Sequence, residues 1–195
     1  MALAAASVSL ARWYGLDDRL AEVLSDSPPH QMASLIPQLM DTRCDVDLDA
    51  YDVTAVGDLF TDGFVQSVTG DPRWPGYERW GCIFAENSLP SSSVKPSGNP
   101  PILFVVSEND ELVNSTVQRQ SFDALCATGY RMQYLECAGA RHTEGAVWSL
   151  PEQFAWLDDR LAGKPMTEVC QRTPPRCCQA TPADQSCDAP QHGSP

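Results

Sequence analysis

Pro100-Pro101-Ile102-Leu103-Phe104-Val105-Val106-Ser107-Glu108-Asn109-Asp110 is the stretch that decides the fold. Its wholly apolar run, Ile102–Val106, predicts a strand buried on both faces, the pattern of an interior strand in a parallel sheet. Asp110 follows directly beyond the carboxyl end of that strand. His142 stands 32 residues later, in the Gly-containing loop Ala138-Gly139-Ala140-Arg141-His142. The chain between them has room for one helix and one further strand. In open α/β sheets, ligands bind outside the carboxyl ends of the strands, where both residues are expected. A histidine that moves protons in acyl transfer needs a carboxylate to fix its tautomer and to stabilise the imidazolium. Asp110 and His142 are therefore the candidate catalytic residues, expected within about 2.6–3.2 Å of each other.

The pattern extends outward from this pair. Val117, Phe122, Leu125 and Cys126 give one face of a helix over 115–128, with Gly129 closing it. Residues 131–137 alternate as a strand through Met132, Tyr134 and Leu135. A helix over 150–161 has Pro151 near its start and Phe154, Trp156, Leu157 and Leu161 as expected anchors. On the amino-terminal side the period is helical instead. Leu3, Leu10, Trp13, Leu20 and Val23 mark residues 2–25, and Met32, Ile36 and Leu39 mark a segment starting near Ser27-Pro28 that Pro37 should kink or break. Residues 53–68 give another helical pattern. Residues 70–101 read as one long Pro-, Gly- and Ser-rich connection carrying Trp74, Tyr77, Trp80 and Phe84, which either line a pocket or pack under the loop.

Composition narrows the function classes. With 195 residues the chain forms one domain, or a domain and a tail. A formal net charge of −13 argues against nucleic acid and against an anionic membrane surface, both of which call for clustered Lys and Arg. No apolar run is long enough to span a bilayer. Eight cysteines point to an oxidising compartment, secreted or periplasmic. The Ala-rich start lacks the basic residues of a signal peptide, the first being Arg12. Residues 164–195 hold six prolines and four cysteines but no Leu, Ile or aromatic residue. Such a segment reads as a disordered tail or a small disulfide-tied knot outside the core.

At these residues a resemblance becomes specific. Residues 100–113 resemble the Pro-Pro, apolar strand, x-Gly-x-x-Asp-x-x-Val segment of α/β-hydrolases, with Ser107 at the small strand-end position and Glu108 as an additional acid. Leu125–Tyr130, Ala138–His142 and Trp156–Gly163 continue it, and with Glu86-Asn87-Ser88 they resemble the secretory lipases in particular. The resemblance implies a partial α/β-hydrolase fold: a helical lid region over 2–70, a β-α-β-α segment of a parallel sheet over 71–163, and the Cys/Pro-rich tail. It maps Asp110 onto the triad acid and His142 onto the triad base, with an ester, lipid or smaller, as substrate. It calls for no cofactor and no metal.

The nucleophile is missing from this pattern. A Gly-x-Ser-x-Gly elbow, with small residues two before and two after the serine, does not occur in the sequence. Ser107 follows a strand but has Val105 and Asn109 at those positions, and Ser88 has Glu86 and Pro90. Ser9 has small neighbours but no preceding strand. The expectation is the carboxyl-terminal part of a secreted serine ester hydrolase without its nucleophile, so whether the chain is itself an active enzyme stays open. A prolyl-oligopeptidase-like fragment shares the strand–Asp–His order, and a non-catalytic, hydrolase-derived binding protein is the reading from another class. Asp45-Val46-Asp47-Leu48-Asp49 has the start of a calcium loop but Ala50 in place of its glycine, which favours a solvated turn. The cysteine spacing of the tail does not suit zinc. Two strands leave one sheet edge open, and self-association through it is expected.

Overall fold

The computed structural model describes residues 2–43, 51–71, 73–93, 98, 100–185 and 187. Cys44 and the Asp45–Asp49 run lie outside them. The chain divides into two units, residues 1–87 and 88–195.

The first unit is helical. Helix α1, Ala2–Tyr14, buries Ala4, Val8 and Ala11, one stripe at four- and three-residue spacing. It stops at Gly15, whose φ of 65° suits a residue without Cβ, and the Leu16 N–H returns to the Ala11 carbonyl at 2.7 Å. The helix expected to run to residue 25 therefore breaks here, and the short α2, Leu20–Val23, resumes it. Helix α3, Met32–Thr42, begins later than Pro28, because the His30 and Gln31 N–H groups close a turn on the Ser27 carbonyl. It runs through Pro37, where the helical bond that Pro cannot donate is given up while Ile36 and Leu39 stay buried on either side. Two more helices, α4 (Val56–Leu59) and α5 (Asp62–Gly70), follow.

The connection expected over 70–101 contains a further helix, α6, Glu78–Glu86. Trp80 and Ile83 bury three residues apart, and Gly81 lets the Trp74 ring approach to 3.4 Å of where a Cβ would stand. Trp80 and Ile83 join Val8, Leu24, Ile36 and Phe64 in one apolar core. Trp74, Tyr77 and Phe84 pack against that core, with Phe64 5.6 Å from Trp74 and 5.5 Å from Tyr77. The aromatic set is packing, and residues up to Asn87 group with the helices.

In the second unit, strand β1 (Ile102–Ser107) pairs in parallel with β2 (Met132–Cys137), Ile102 opposite Met132 and Ser107 opposite Cys137. Alternation divides each strand between two small cores. Ile102, Phe104 and Val106 pack with Met132, Tyr134, Phe122 and Leu125, the last two from helix α7, Ser115–Ala127. Leu103 and Val105 face Leu135, Cys137, Ala140 and Trp148 instead. Asn114 caps α7, its side-chain oxygen accepting the Thr116 and Val117 N–H groups at 2.9 and 3.3 Å. Gly129, at φ 97°, ends it. Beyond β2 come the short helix α8, Glu144–Trp148, and helix α9, Leu150–Leu161.

Two departures from the sequence reading concern burial. β1 was expected to be buried on both faces, yet only Val106 and Ser107 are buried and Ile102–Val105 are half-buried. The reason is that β1 pairs with β2 alone among the described residues. Helix α9 buries none of its residues; Phe154 is 63% exposed and Leu157 and Leu161 are exposed with it. Trp156 is half-buried and donates its ring N–H to Gln133 at 3.0 Å.

The tail departs furthest. The Arg176 N–H donates to the Glu136 carbonyl at 3.0 Å, the Ala138 N–H donates to the Arg176 carbonyl at 2.9 Å, and the Cys170 N–H donates to the Met132 carbonyl at 2.7 Å. These bonds lay residues 170–176 along the outer edge of β2. Disulfides Cys126–Cys170 and Cys137–Cys178 fix the segment to α7 and β2, and Cys177–Cys187 closes a small loop within it. Cys178 is 3% exposed and belongs to the core. Covalent crosslinks supply the ordering that composition alone does not.

Candidate active site

Both candidate residues leave the carboxyl ends of paired strands, so parallel register brings their loops side by side. Asp110 lies three residues after β1 and His142 five residues after β2. The His142 Nδ1 lies 2.9 and 3.0 Å from the two carboxylate oxygens of Asp110. The Asp110 side chain is 5% exposed and that of His142 is 37% exposed. The acid is thus sheltered, and the imidazole reaches solvent.

Asp110 is held from several directions. Its Oδ1 accepts the Val113 N–H at 2.7 Å and the Leu112 N–H at 3.0 Å, and its Oδ2 accepts an amide N–H of Gln118 at 3.2 Å. Burial pushes this carboxyl up, but the Val113 N–H, the His142 ring and the Leu112 N–H together outweigh it. The net result is a pKa below the ordinary carboxylate value. An ionised Asp110 accepts only, so the proton between the two groups sits on Nδ1 of His142. Nε2 is then the nitrogen with a free lone pair.

The acid loop grips the base loop at the backbone as well. The Asn109 N–H donates to the Ala140 carbonyl at 2.8 Å, and the Glu108 N–H to the Cys137 carbonyl at 3.2 Å. The Ser107 hydroxyl donates to the His142 carbonyl at 3.2 Å. Glu111 accepts the His142 N–H at 3.1 Å, and its own N–H and that of His142 hold its carboxyl below the usual range. Helix α8, absent from the sequence reading, packs Gly145 directly on Ser107. Five helical residues are too few to show a period.

The serines weighed in the sequence take other places. Ser107 is buried with its hydroxyl engaged as above, Ser9 is exposed on α1, and Ser88 lies in a turn whose carbonyl accepts the Ser91 and Ser92 N–H groups. Two cavities adjoin α9, of about 530 and 390 Å³, and neither is lined by Asp110 or His142. Among the described residues, no cluster of three or more His, Cys, Asp or Glu side chains could hold a metal ion. No described helix is long and apolar enough to cross a membrane.

An acid after one parallel strand hydrogen-bonded to a histidine after the next is the relation of acid to base in serine hydrolases whose triad runs Ser, Asp, His. A model of the secretory lipase family matches residues 31–169. The chain belongs to the secretory lipase family, whose wider setting is the α/β-hydrolase superfamily. The match takes in α3 to α6 of the helical unit as well as both strands, and runs into the tail. At the family level this is a lipase- or esterase-type hydrolase, and the family and the three disulfides fit an extracellular protein. No match is found among curated proteins or among solved structures.

Proposed function

We propose that Asp110 and His142 are the acid and base of a secreted serine ester hydrolase acting on lipid esters, and that this chain does not itself supply the nucleophile. The observation that carries the reading is the Nδ1–carboxylate contact of 2.9 Å at the carboxyl ends of two parallel strands. In that role His142 Nε2 takes the proton of an attacking serine and then gives it to the leaving alcohol, while Asp110 holds the imidazole in the Nδ1–H tautomer. The two-stranded sheet with flanking helices is read as the carboxyl-terminal part of an α/β-hydrolase fold, and the helical unit as lid-like. Self-association through the outer edge of β1 belongs to the same reading, since among the described residues of the second unit that strand pairs with β2 alone.

The sequence holds no Gly-x-Ser-x-Gly, and loss of the nucleophile removes most of the rate enhancement even when acid and base remain. Purified chain is therefore expected to hydrolyse p-nitrophenyl esters only at background and to stay unlabelled by a fluorophosphonate. Robust hydrolysis abolished by Ser9→Ala would overturn the missing nucleophile. The acid–base assignment is tested separately by ¹⁵N NMR of the ring. His142 is expected as the Nδ1–H tautomer, and Asp110→Asn should shift the population toward Nε2–H. An unchanged tautomer in that variant would dismiss the pair.

A further inference from the structure

Glu108 is the acid that the strand-end pattern does not require. It is 5% exposed, and burying a carboxylate is costly unless hydrogen bonds compensate. Its Oε2 accepts the Gly139 N–H at 2.8 Å. Gly139 is the second residue of the base loop and sits at φ 71°, a conformation that suits a residue without Cβ and that here accompanies an N–H facing the acid loop. Two further N–H groups of the loop also end on carboxylates, Arg141 on Glu144 at 2.8 Å and His142 on Glu111 at 3.1 Å. The Glu111 side chain is 46% exposed, so water can replace it. Glu108, by contrast, is almost wholly buried.

On the reading that Asp110 and His142 are the acid and base, we propose that Glu108 is a positioning residue for His142, acting through Gly139. The chain of contact is short. Glu108 fixes the Gly139 N–H, the Asn109 side-chain amide and backbone N–H take the Gly139 and Ala140 carbonyls at 3.4 and 2.8 Å, and His142 follows two residues on. The base loop is thereby anchored by donors and acceptors from Glu108 and Asn109, the two residues that precede Asp110. Acid and base are set by one rigid turn, so the ring nitrogen meets the carboxylate without a search of loop conformations. Removing Glu108 leaves a part-buried N–H without its acceptor and frees the loop near its start.

The test is NMR on the full chain. In the wild type the Nδ1 proton of His142 should give a far-downfield resonance, lost in Asp110→Asn. Glu108→Ala should broaden or abolish that resonance and should speed exchange of the Gly139 amide about tenfold, while the β2 amides keep their protection. Glu108→Gln keeps an oxygen acceptor and should retain both signals, which also covers the case in which the alanine variant folds poorly. A wild-type resonance that persists at full intensity in Glu108→Ala overturns the positioning role alone. Equal loss in Glu108→Gln and Glu108→Ala, with protection falling throughout β2, also overturns it. Absence of the resonance from the wild type overturns the acid–base pair itself.

Discussion

A Cβ on Gly145 would collide with the Ser107 hydroxyl oxygen and stand 3.1 Å from the Ser107 Cα. Helix α8 is thus pressed on the last residue of β1, and this contact places the helix that follows the base against the strand that precedes the acid. Gly145→Ala is expected to destabilise the second unit by ~1–3 kcal/mol, the usual cost of forcing extra carbon into a packed site. Ser107→Gly removes the atoms nearest the new methyl, so the double variant should recover part of the loss. Urea melts of the two single variants and the double variant measure the coupling, and strict additivity would show that the two residues do not meet.

Beneath helix α7 lies a charge taken out of water. Glu136 is 2% exposed; its Oε2 accepts the Tyr134 hydroxyl at 2.6 Å and the Arg119 Nε–H at 3.2 Å, while Arg119 Nη2 meets its other oxygen. Burial and the Glu136 carboxylate push the Tyr134 hydroxyl well above its ordinary pKa, and the hydrogen bond to Glu136 raises that of Arg119. Arg119→Met should cost ~3–5 kcal/mol, because it strands a buried carboxylate. Adding Glu136→Gln should return much of that stability. Thermal melts read both effects.

Stability should also depend on acid through Asp110. Its folded-state pKa lies below the unfolded one, so the stabilisation is complete above about pH 3.9 and disappears as pH falls through the folded value. Denaturation of the wild type and Asp110→Asn at a series of pH values should show the wild type more stable near neutrality and the gap closing below about pH 4. A gap that widens on acidification would reverse the sign of this linkage.

How much of this was legible in the sequence follows from what each element needed. β1, α7 and β2 could be read because Phe122, Leu125 and Tyr134 bury and Phe104 packs against them on faces of fixed period, and because Asn114 and Gly129 mark the ends of a helix. The meeting of Asp110 with His142 follows from parallel pairing, in which equal strand ends put the two loops side by side. Helix α6 was hidden by Pro75, Gly76 and Gly81, and α8 by its five-residue length. The path of residues 170–178 along β2 depends on which cysteine joins which, and connectivity is not encoded in spacing. Glu108 looked like an extra acid because its partner is a backbone N–H, which has no sequence signature.

The outer edge of β1 gives the last expectation. Residues 170–176 cover the free edge of β2, so among the described residues of the second unit one strand edge is left, that of β1, lined by an uncharged run from Ile102 to Ser107. Leu150, Phe154 and Leu157 of α9 border the same side, and with Ile102, Leu103 and Val105 they line the cavity of about 390 Å³. Unpaired backbone and exposed apolar side chains together favour pairing with another chain. Two copies joined β1 to β1 would give an isologous contact whose outer edges are both already covered, so the expected product is a dimer and not an open fibre. The net charge of −13 on each copy opposes the contact, and added salt should therefore strengthen it. Light scattering after size exclusion under oxidising conditions should find dimer at micromolar chain, increasing with salt. Phe154→Asp and Leu157→Asp should return it to monomer without lowering the melting temperature. A monodisperse wild-type monomer at every salt concentration would show that β1 does not recruit a second copy.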